Sequence, residues 1–335
     1  MSSLPDPPPA VPSGAAVTEN VPAPAGEDDA HTLVVVTRLK IDEQLRELTS
    51  ILGGHWQVSV APSIPQGDPR ITELIVPPGT RLDGSQLPAL PGLRAVATTS
   101  IGTDHLDLEA LSRAGIPVVT AQGFNSREVA DHTLACILAA VRDLANGVSL
   151  VRDGGWGSLQ THPRLVSLTT LGLIGFGGIA RLVAADALAL GMRVMVCNRS
   201  ALPAATLKAG IAQVGIGTLM RQADIVSVHV PLTDGTRGMI GRRELEAAHE
   251  GIVIINTARA GIIDQDALAD ALNTGRVSQA WLDVLATEPP DPQDPLIDCR
   301  NAIITPHMAW LSPQSSVKGY RMVAQRLARL ASDTP

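Results

Sequence analysis

Leu171-Gly172-Leu173-Ile174-Gly175-Phe176-Gly177-Gly178-Ile179-Ala180 decides the fold. An apolar run ends at Gly175 and a helical pattern opens directly after Gly177, which is how a βαβ unit begins. Gly175 permits a tight turn and Gly177 lets backbone approach a pyrophosphate. Ala180, in place of a third glycine, still allows helix and strand to pack closely. Backbone N–H groups near Gly178 and Ile179 would face phosphate oxygens at the helix start. A glycine turn that merely packs tightly could carry the same letters.

The alternation continues on both sides of this turn. RVMVC (193–197), DIVSVHV (224–230), GIVIINT (251–257), QAWLDV (279–284) and NAIIT (301–305) are predicted strands, with helices over 178–190 and 264–273. Apolar strands between helices point to a parallel sheet covered on both faces. Upstream, the stretches 32–37, 56–61, 74–77 and 93–98 have strand patterns, and Ile41–Leu52 carries leucines at helical spacing. These make a second, smaller α/β unit. Ser126, placed as an N-cap, opens a long helix with Val129, Leu134, Ile137, Leu138, Val141 and Leu144 as its apolar stripe. Core burial and burial against a second subunit explain that stripe equally well. A last helix over 313–332 is expected to pack back on the first unit.

At 335 residues the chain is long enough for two separate cores. A net charge of −7 argues against nucleic-acid binding, which usually needs a basic stripe. No apolar run approaches the roughly 20 residues that span a bilayer. Cys136, Cys197 and Cys299 lie far apart without metal-ligand spacing, so buried free thiols, a reducing compartment and no metal site are expected. Residues 1–30 hold seven prolines and five acids but neither lysine nor arginine. That fits no secretory or transit signal, and such a composition buries too little apolar surface to order itself. A disordered tail on a cytoplasmic protein is the expectation.

In a dinucleotide site the second strand normally ends in an acid that binds the ribose hydroxyls, about 20 residues past the glycines. Asn198 stands there, followed by Arg199 and Ser200. An amide removes the charge that would repel a 2′-phosphate, and Arg199 and Ser200 can bind one. NADP is therefore expected over NAD.

Asn256-Thr257-Ala258-Arg259-Ala260-Gly261, then Asp283, Glu288-Pro289 and Thr305-Pro306-His307, follow successive strands. Residues at strand C-terminal ends sit where open α/β sheets bind ligands. A guanidinium from Arg259 can hold a carboxylate bidentately. His307 differs from the other histidines in having a candidate carboxylate partner, Glu288, after the preceding strand. A carboxylate beside an imidazole favours the protonated form, as a proton donor requires. His229, on DIVSVHV, belongs near the cofactor or in the core, and His105 and His132 read as local hydrogen-bonders.

The motifs INTARAGIIDQDALADAL (255–272), WLDVLATEPP (281–290) and ITPHMAW (304–310) resemble the D-isomer-specific 2-hydroxyacid dehydrogenases, in particular the glycerate dehydrogenase and hydroxypyruvate reductase branch. SVHVPLTDGTRGMI (227–240), SIGTDHLDL (100–108) and NSREVADHTLACILA (125–139) extend the resemblance over about 31–330. It implies two doubly wound parallel-sheet α/β domains with a cleft between them. A Rossmann-like cofactor domain would span 125–308, including a dimerisation helix over 126–145. A flavodoxin-like substrate domain would be discontinuous, 31–124 with 309–335. By the same resemblance Arg259 binds the substrate carboxylate, His307 is the acid/base and Glu288 tunes it. Asp283 would orient the nicotinamide. Pro231, Thr257 and Ala258 join the cofactor positions, while Ser100 and the N–H groups of Ile101 and Gly102 complete the substrate site. A homodimer acting on a small 2-oxo or 2-hydroxy acid is implied, most simply hydroxypyruvate or glyoxylate.

Three departures from the family pattern are Ala260 for glycine, Asp131 for glutamate and Asn198 for the cofactor acid. The loop between Ala61 and Leu93 is short for the family, which leaves the acid open. Another acid, or a formate- or phosphite-type donor, is the second enzymatic reading. The formate branch carries glutamine where Glu288 stands, which disfavours it. A dinucleotide-sensing, corepressor-like scaffold is a third.

Overall fold

The computed structural model describes residues 31–157 and 162–333, so the expectation for the 1–30 tail lies outside the described residues. The chain divides into two compact units: residues up to Ala121 together with those from Tyr320 on, and Gln122–Gly319.

The first unit runs β1 (His31–Val36), α1 (Asp42–Leu52), β2 (Trp56–Ala61), β3 (Glu73–Ile75), β4 (Ala95–Thr98), α2 (Leu108–Arg113) and β5 (Val118–Thr120). Its strands are all parallel, in the order β2-β1-β3-β4-β5, which is the flavodoxin-like order. The inner strands are short and rich in β-branched and other apolar residues, while the edge strand β2 alternates polar and apolar, and Val34, Val36, Leu74, Val76, Val96 and Leu111 join in one core cluster. The short elements α2 and β5 carry no strong periodicity and are not foreseen by the sequence. Asp107 starts α2 by accepting a hydrogen bond from Ala110 N at 2.9 Å.

The second unit opens with α3 (Ser126–Val141), α4 (Leu144–Arg152), β6 (Thr170–Ile174), α5 (Gly178–Ala189), β7 (Arg193–Cys197), α6 (Ala204–Lys208) and β8 (Ile211–Gln213). It continues through α7 (Ile216–Gln222), β9 (Ile225–Val228), α8 (Arg242–Glu246), β10 (Ile252–Asn256), α9 (Gln265–Asn273), β11 (Val277–Leu282) and β12 (Ala302–Ile304). The strands form a parallel sheet in the order β12-β11-β10-β9-β6-β7-β8. The chain leaves β6 in one direction and returns to pair β9 on its other side, so the strand order reverses between β6 and β9. Alternate residues of β10 enter opposite cores: Val253 and Ile255 pack with Ile137, Ala180 and Val183, while Ile252 and Ile254 pack with Leu219, Leu245 and Leu268. Apolar residues on both faces are the physical reason these strands read as continuous runs.

The helix α10 (Pro313–Asp333) crosses the division between the units at Gly319/Tyr320. Its later part belongs to the first unit, where Arg321 pairs with Glu47 and Arg326 bonds the Thr120 carbonyl.

The single helix expected over 126–145 is two helices meeting at a bend of 63°. Asp143, buried and left-handed at φ 53°, stands between them at the N-cap position of the second. Its carboxylate accepts from Asn146 Nδ2 at 2.7 Å, His162 N at 2.8 Å and Gln279 Nε2 at 2.7 Å. Three partners thus satisfy this buried polar group at the point where the helix turns. The N-cap position of α3 is Asn125 rather than Ser126, and its side chain makes no capping bond. Among the described residues no single helix is long and apolar enough to cross a membrane.

Candidate functional site

The glycine loop lies at the β6 end of the strand-order reversal. Gly175 has φ +94°, and a Cβ there would stand 2.7 Å from the His229 carbonyl oxygen and 2.8 Å from a Val230 methyl. Only glycine permits the turn and this approach of the loops after β6 and β9. At Gly177 and Gly178 an added Cβ would meet nothing within 4 Å, so there it would fill open space above the loop. The first turn of α5 has no side-chain cap, which leaves N–H groups of Gly178 and Ile179 directed at that space. Open space over uncapped N–H groups at a helix start suits a diphosphate.

Beyond β7, Asn198 donates from Nδ2 to the Ser200 carbonyl at 2.9 Å. Gln213 Nε2 bonds the carbonyls of both Asn198 and Ser200, at 3.1 and 2.9 Å. The turn is thus fixed, with Arg199 exposed and in no ion pair among the described residues. Cys197 is half-buried rather than buried as expected, and burial still pushes its thiol pKa up. Cys136 is buried, its thiol pushed up to about 12 by loss of solvent.

His229 follows β9, and its Nε2 lies 2.9 Å from Ser227 Oγ. Burial of the imidazole holds its pKa down at about 4 although part of the residue surface remains accessible. It is a neutral ring at neutral pH. Pro231 follows in the same loop.

Thr257, Ala258 and Arg259 follow β10. The buried Asn256 side chain shapes this turn, donating to the Arg259 carbonyl at 2.9 Å and accepting from Ala258 N at 3.0 Å. Arg259 itself donates from Nη1 to the Ala258 carbonyl at 2.8 Å. Thr257 Oγ1 meets Thr133 Oγ1 of α3 at 3.0 Å.

The last two strands supply the acid and the histidine. Glu288 Oε2 is 2.7 Å from His307 Nδ1, and its other oxygen accepts from Leu285 N at 3.1 Å. His307 has φ +52°, a left-handed backbone that costs a non-glycine residue of order 1 kcal/mol. Asp283, only 2% exposed, holds that turn. Its carboxylate accepts from Thr305 Oγ1 at 2.5 Å, Met308 N at 2.9 Å and Ala309 N at 2.8 Å. His132 Nε2 lies 3.4 Å from Thr305 Oγ1.

In the first unit, Ser100, Ile101 and Gly102 form the loop after β4. Ser100 Oγ donates to the Gly102 carbonyl at 2.6 Å. The N–H groups of Ile101 and Gly102 find no acceptor among the described residues.

All the residues expected at the cofactor and catalytic positions therefore follow strands β6, β7, β9, β10, β11 and β12, at one edge of one sheet. A family model for the D-isomer specific 2-hydroxyacid dehydrogenase NAD-binding domain matches residues 134–309, which takes in that whole edge. The chain belongs to the D-isomer specific 2-hydroxyacid dehydrogenase family.

Among members of this family, the chain is 36% identical to the glyoxylate reductase of Aeropyrum pernix, over 75% of this chain and 77% of that one. It is 31% identical to the D-3-phosphoglycerate dehydrogenase of Archaeoglobus fulgidus, over 80% of this chain. The match spans about half of that relative, 51% of its length. A D-lactate dehydrogenase from Aquifex aeolicus, solved with NAD and lactic acid, superposes with a TM-score of 0.80 at 25% identity, covering 90% of this chain and 96% of that one.

Two residues of this dehydrogenase fold shape the site without having been assigned a role from sequence. Asn256 and Thr305 both stand at strand ends next to an assigned residue, the one signal that could have pointed to them. His132, expected to bond locally, instead meets Thr305, 173 residues along the chain, because its contact depends on how α3 lies over the sheet.

Proposed function

We propose that this chain transfers a hydride between a nicotinamide dinucleotide and C2 of a small 2-oxo or 2-hydroxy acid, with hydroxypyruvate or glyoxylate the favoured substrate. The observation that carries the reading is the 2.7 Å contact of His307 Nδ1 with Glu288, at the same sheet edge as the glycine cradle and Arg259. The glyoxylate reductase relative supports the choice of acid.

The bound nicotinamide supplies a hydride donor or acceptor. The protein's own groups do the rest. Arg259 binds the substrate carboxylate by a paired, charge-assisted contact. Because Nδ1 of His307 is held by Glu288, Nε2 is the atom that delivers a proton to the carbonyl oxygen. Glu288 stabilises the imidazolium before transfer and orients the ring throughout. Asp283 fixes the 305–309 turn and so the position of that ring, besides orienting the nicotinamide. In oxidation His307 takes the proton back.

The cofactor residues are Gly175, Gly177, Gly178 and Ile179 for the diphosphate, with His229, Pro231, Thr257 and Ala258 around the remainder. Asn198, Arg199 and Ser200 favour NADP over NAD, since an amide and an exposed guanidinium in no ion pair among the described residues suit a 2′-phosphate. The first unit supplies the substrate domain, where the N–H groups of Ile101 and Gly102, without acceptors among the described residues, and the Ser100 loop suit a carboxylate. A homodimer is supported by α4, whose Leu144, Val148 and Val151 share one face and are each more than half exposed. Cytoplasmic placement rests on the free cysteines, and fractionation tests it.

The test is oxidation of NADPH and NADH, followed by absorbance, against hydroxypyruvate, glyoxylate, pyruvate and the oxidised form of D-3-phosphoglycerate. Turnover of hydroxypyruvate or glyoxylate that is lost in His307→Ala is expected. No turnover of any acid, or a His307→Ala variant as fast as the parent, would overturn the reading.

A further inference from the structure

We infer that His105 is a positioning residue for substrate binding, acting through a directed chain of hydrogen bonds on the loop that would hold the carboxylate. The inference rests on the proposed function and concerns residues of the first unit alone.

His105 is anchored by its backbone. Leu82 N donates to the His105 carbonyl at 2.9 Å, Asp107 N donates to the Leu82 carbonyl at 2.9 Å, and Leu82 and Leu106 form a parallel bridge. From that anchor the imidazole reaches the C-terminal ends of β3 and β4. Its Nε2 lies 3.2 Å from the Val76 carbonyl oxygen and 3.2 Å from Thr98 Oγ1. Thr98, fully buried, continues to Ser100 Oγ at 3.0 Å, and Ser100 Oγ continues to the Gly102 carbonyl oxygen at 2.6 Å.

The direction of this chain is fixed by its two carbonyl ends. A carbonyl oxygen only accepts, so Ser100 spends its single hydroxyl proton on Gly102. Ser100 must then accept from Thr98, and Thr98, its proton used, must accept from His105. The Val76 carbonyl also only accepts. Nε2 of His105 therefore carries hydrogen, shared between Val76 and Thr98. A ring with bare Nε2 would set a lone pair against the Val76 oxygen and leave the buried Thr98 hydroxyl without a donor.

The chain ends on a bond that spans the two peptides carrying the donors. The Gly102 carbonyl belongs to the following peptide, but its bond back to Ser100 closes the loop over the two peptides between them and so restrains both, while the N–H groups of Ile101 and Gly102 remain without acceptors among the described residues. Ile101 is 40% exposed and Gly102 partly so, which places this loop at the surface of the unit. Two adjacent N–H groups held in one orientation suit a carboxylate, and pre-ordering them lowers the cost of binding one. His105 sets that order without touching substrate.

The experiment uses the full chain with dinucleotide bound. His105→Leu and Thr98→Val, each removing one link, are expected to raise KM for the 2-oxo acid by about tenfold while kcat and dinucleotide affinity stay within about threefold. His105→Gln, whose amide N–H can reach the same two acceptors, is expected to keep KM within about threefold of the parent. Nitrogen NMR of the imidazole should show hydrogen on Nε2. Titration with oxamate, an unreactive carboxylate of similar shape, should show the same loss of affinity in His105→Leu and needs no turnover. Unchanged KM and oxamate affinity in His105→Leu and Thr98→Val would overturn the inference. So would an unprotonated Nε2, or parallel falls in kcat and dinucleotide affinity, which mark a general structural defect. Arg259→Ala separates the two readings: if it abolishes oxamate binding while His105→Leu does not weaken it, only the inference about His105 falls.

Discussion

Nδ1 of His307 stands 2.7 Å from Oε2 of Glu288, and both side chains keep about two fifths of their surface open. The pair is thus tightly bonded yet accessible, as a proton donor must be. Glu288→Gln would keep a hydrogen-bond acceptor but remove the charge that stabilises the imidazolium. It is expected to lower kcat by roughly 10–100-fold, and His307→Ala by about 10²–10⁴-fold, with dinucleotide affinity unchanged. Steady-state kinetics with direct titration of dinucleotide checks both.

Asp283→Asn should act on stability as well as rate. The buried carboxylate accepts from three donors, and an amide would turn an N–H₂ group towards at least one of them. A loss of about 2–3 kcal/mol is expected in urea unfolding, since a buried donor loses its acceptor. An unchanged unfolding midpoint would show that the 305–309 turn is held by other means.

His229 gives a pH dependence with a definite sign. Burial lowers its pKa from 6.5 to about 4, so between these values the unfolded chain binds the extra proton and the folded chain does not. Stability from this group is complete above the unfolded value and is lost as pH falls towards 4, up to about 3 kcal/mol. Unfolding free energies at pH 7 and pH 5 should differ more for the parent than for His229→Gln, which cannot titrate. An equal drop in both would remove His229 as the cause.

Arg199→Ala is expected to weaken NADPH by about tenfold or more and NADH little, because the guanidinium matters only where a 2′-phosphate is present. Fluorescence titration of both dinucleotides decides it. Equal losses for the two would mean that Arg199 does not read the phosphate.

The apolar face of α4 predicts assembly. Val148→Glu, at a position 52% exposed, should leave the chain folded but shift it towards monomer in sedimentation velocity. A parent already monomeric at micromolar concentration would exclude this face as a stable interface.

Much of the site was legible in the residues because ligands of open parallel sheets gather at strand ends, and strand ends can be found from apolar runs. Gly175 and Gly177, Arg259, Glu288 and His307 each follow such a run. The short elements α2, α6, α8, β5 and β8 were not legible, since a few residues carry no clear period. The break at Asp143 was hidden for another reason: it depends on Gln279, far along the chain.

By itself the sequence determined the α/β class, the succession of strands and helices, the glycine turn and the residue types available at each strand end. These are local properties, set by side-chain periodicity and by the conformations that glycine, proline and asparagine allow. Only the tertiary structure decided the two strand orders, the bend between α3 and α4, the three bonds by which Asp283 holds the His307 turn, and the direction of the chain from His105 to Gly102. Each of those joins groups distant in sequence or fixes a donor against an acceptor. Such choices are made when strands pair and buried polar groups must find partners, and spacing along the chain does not record them.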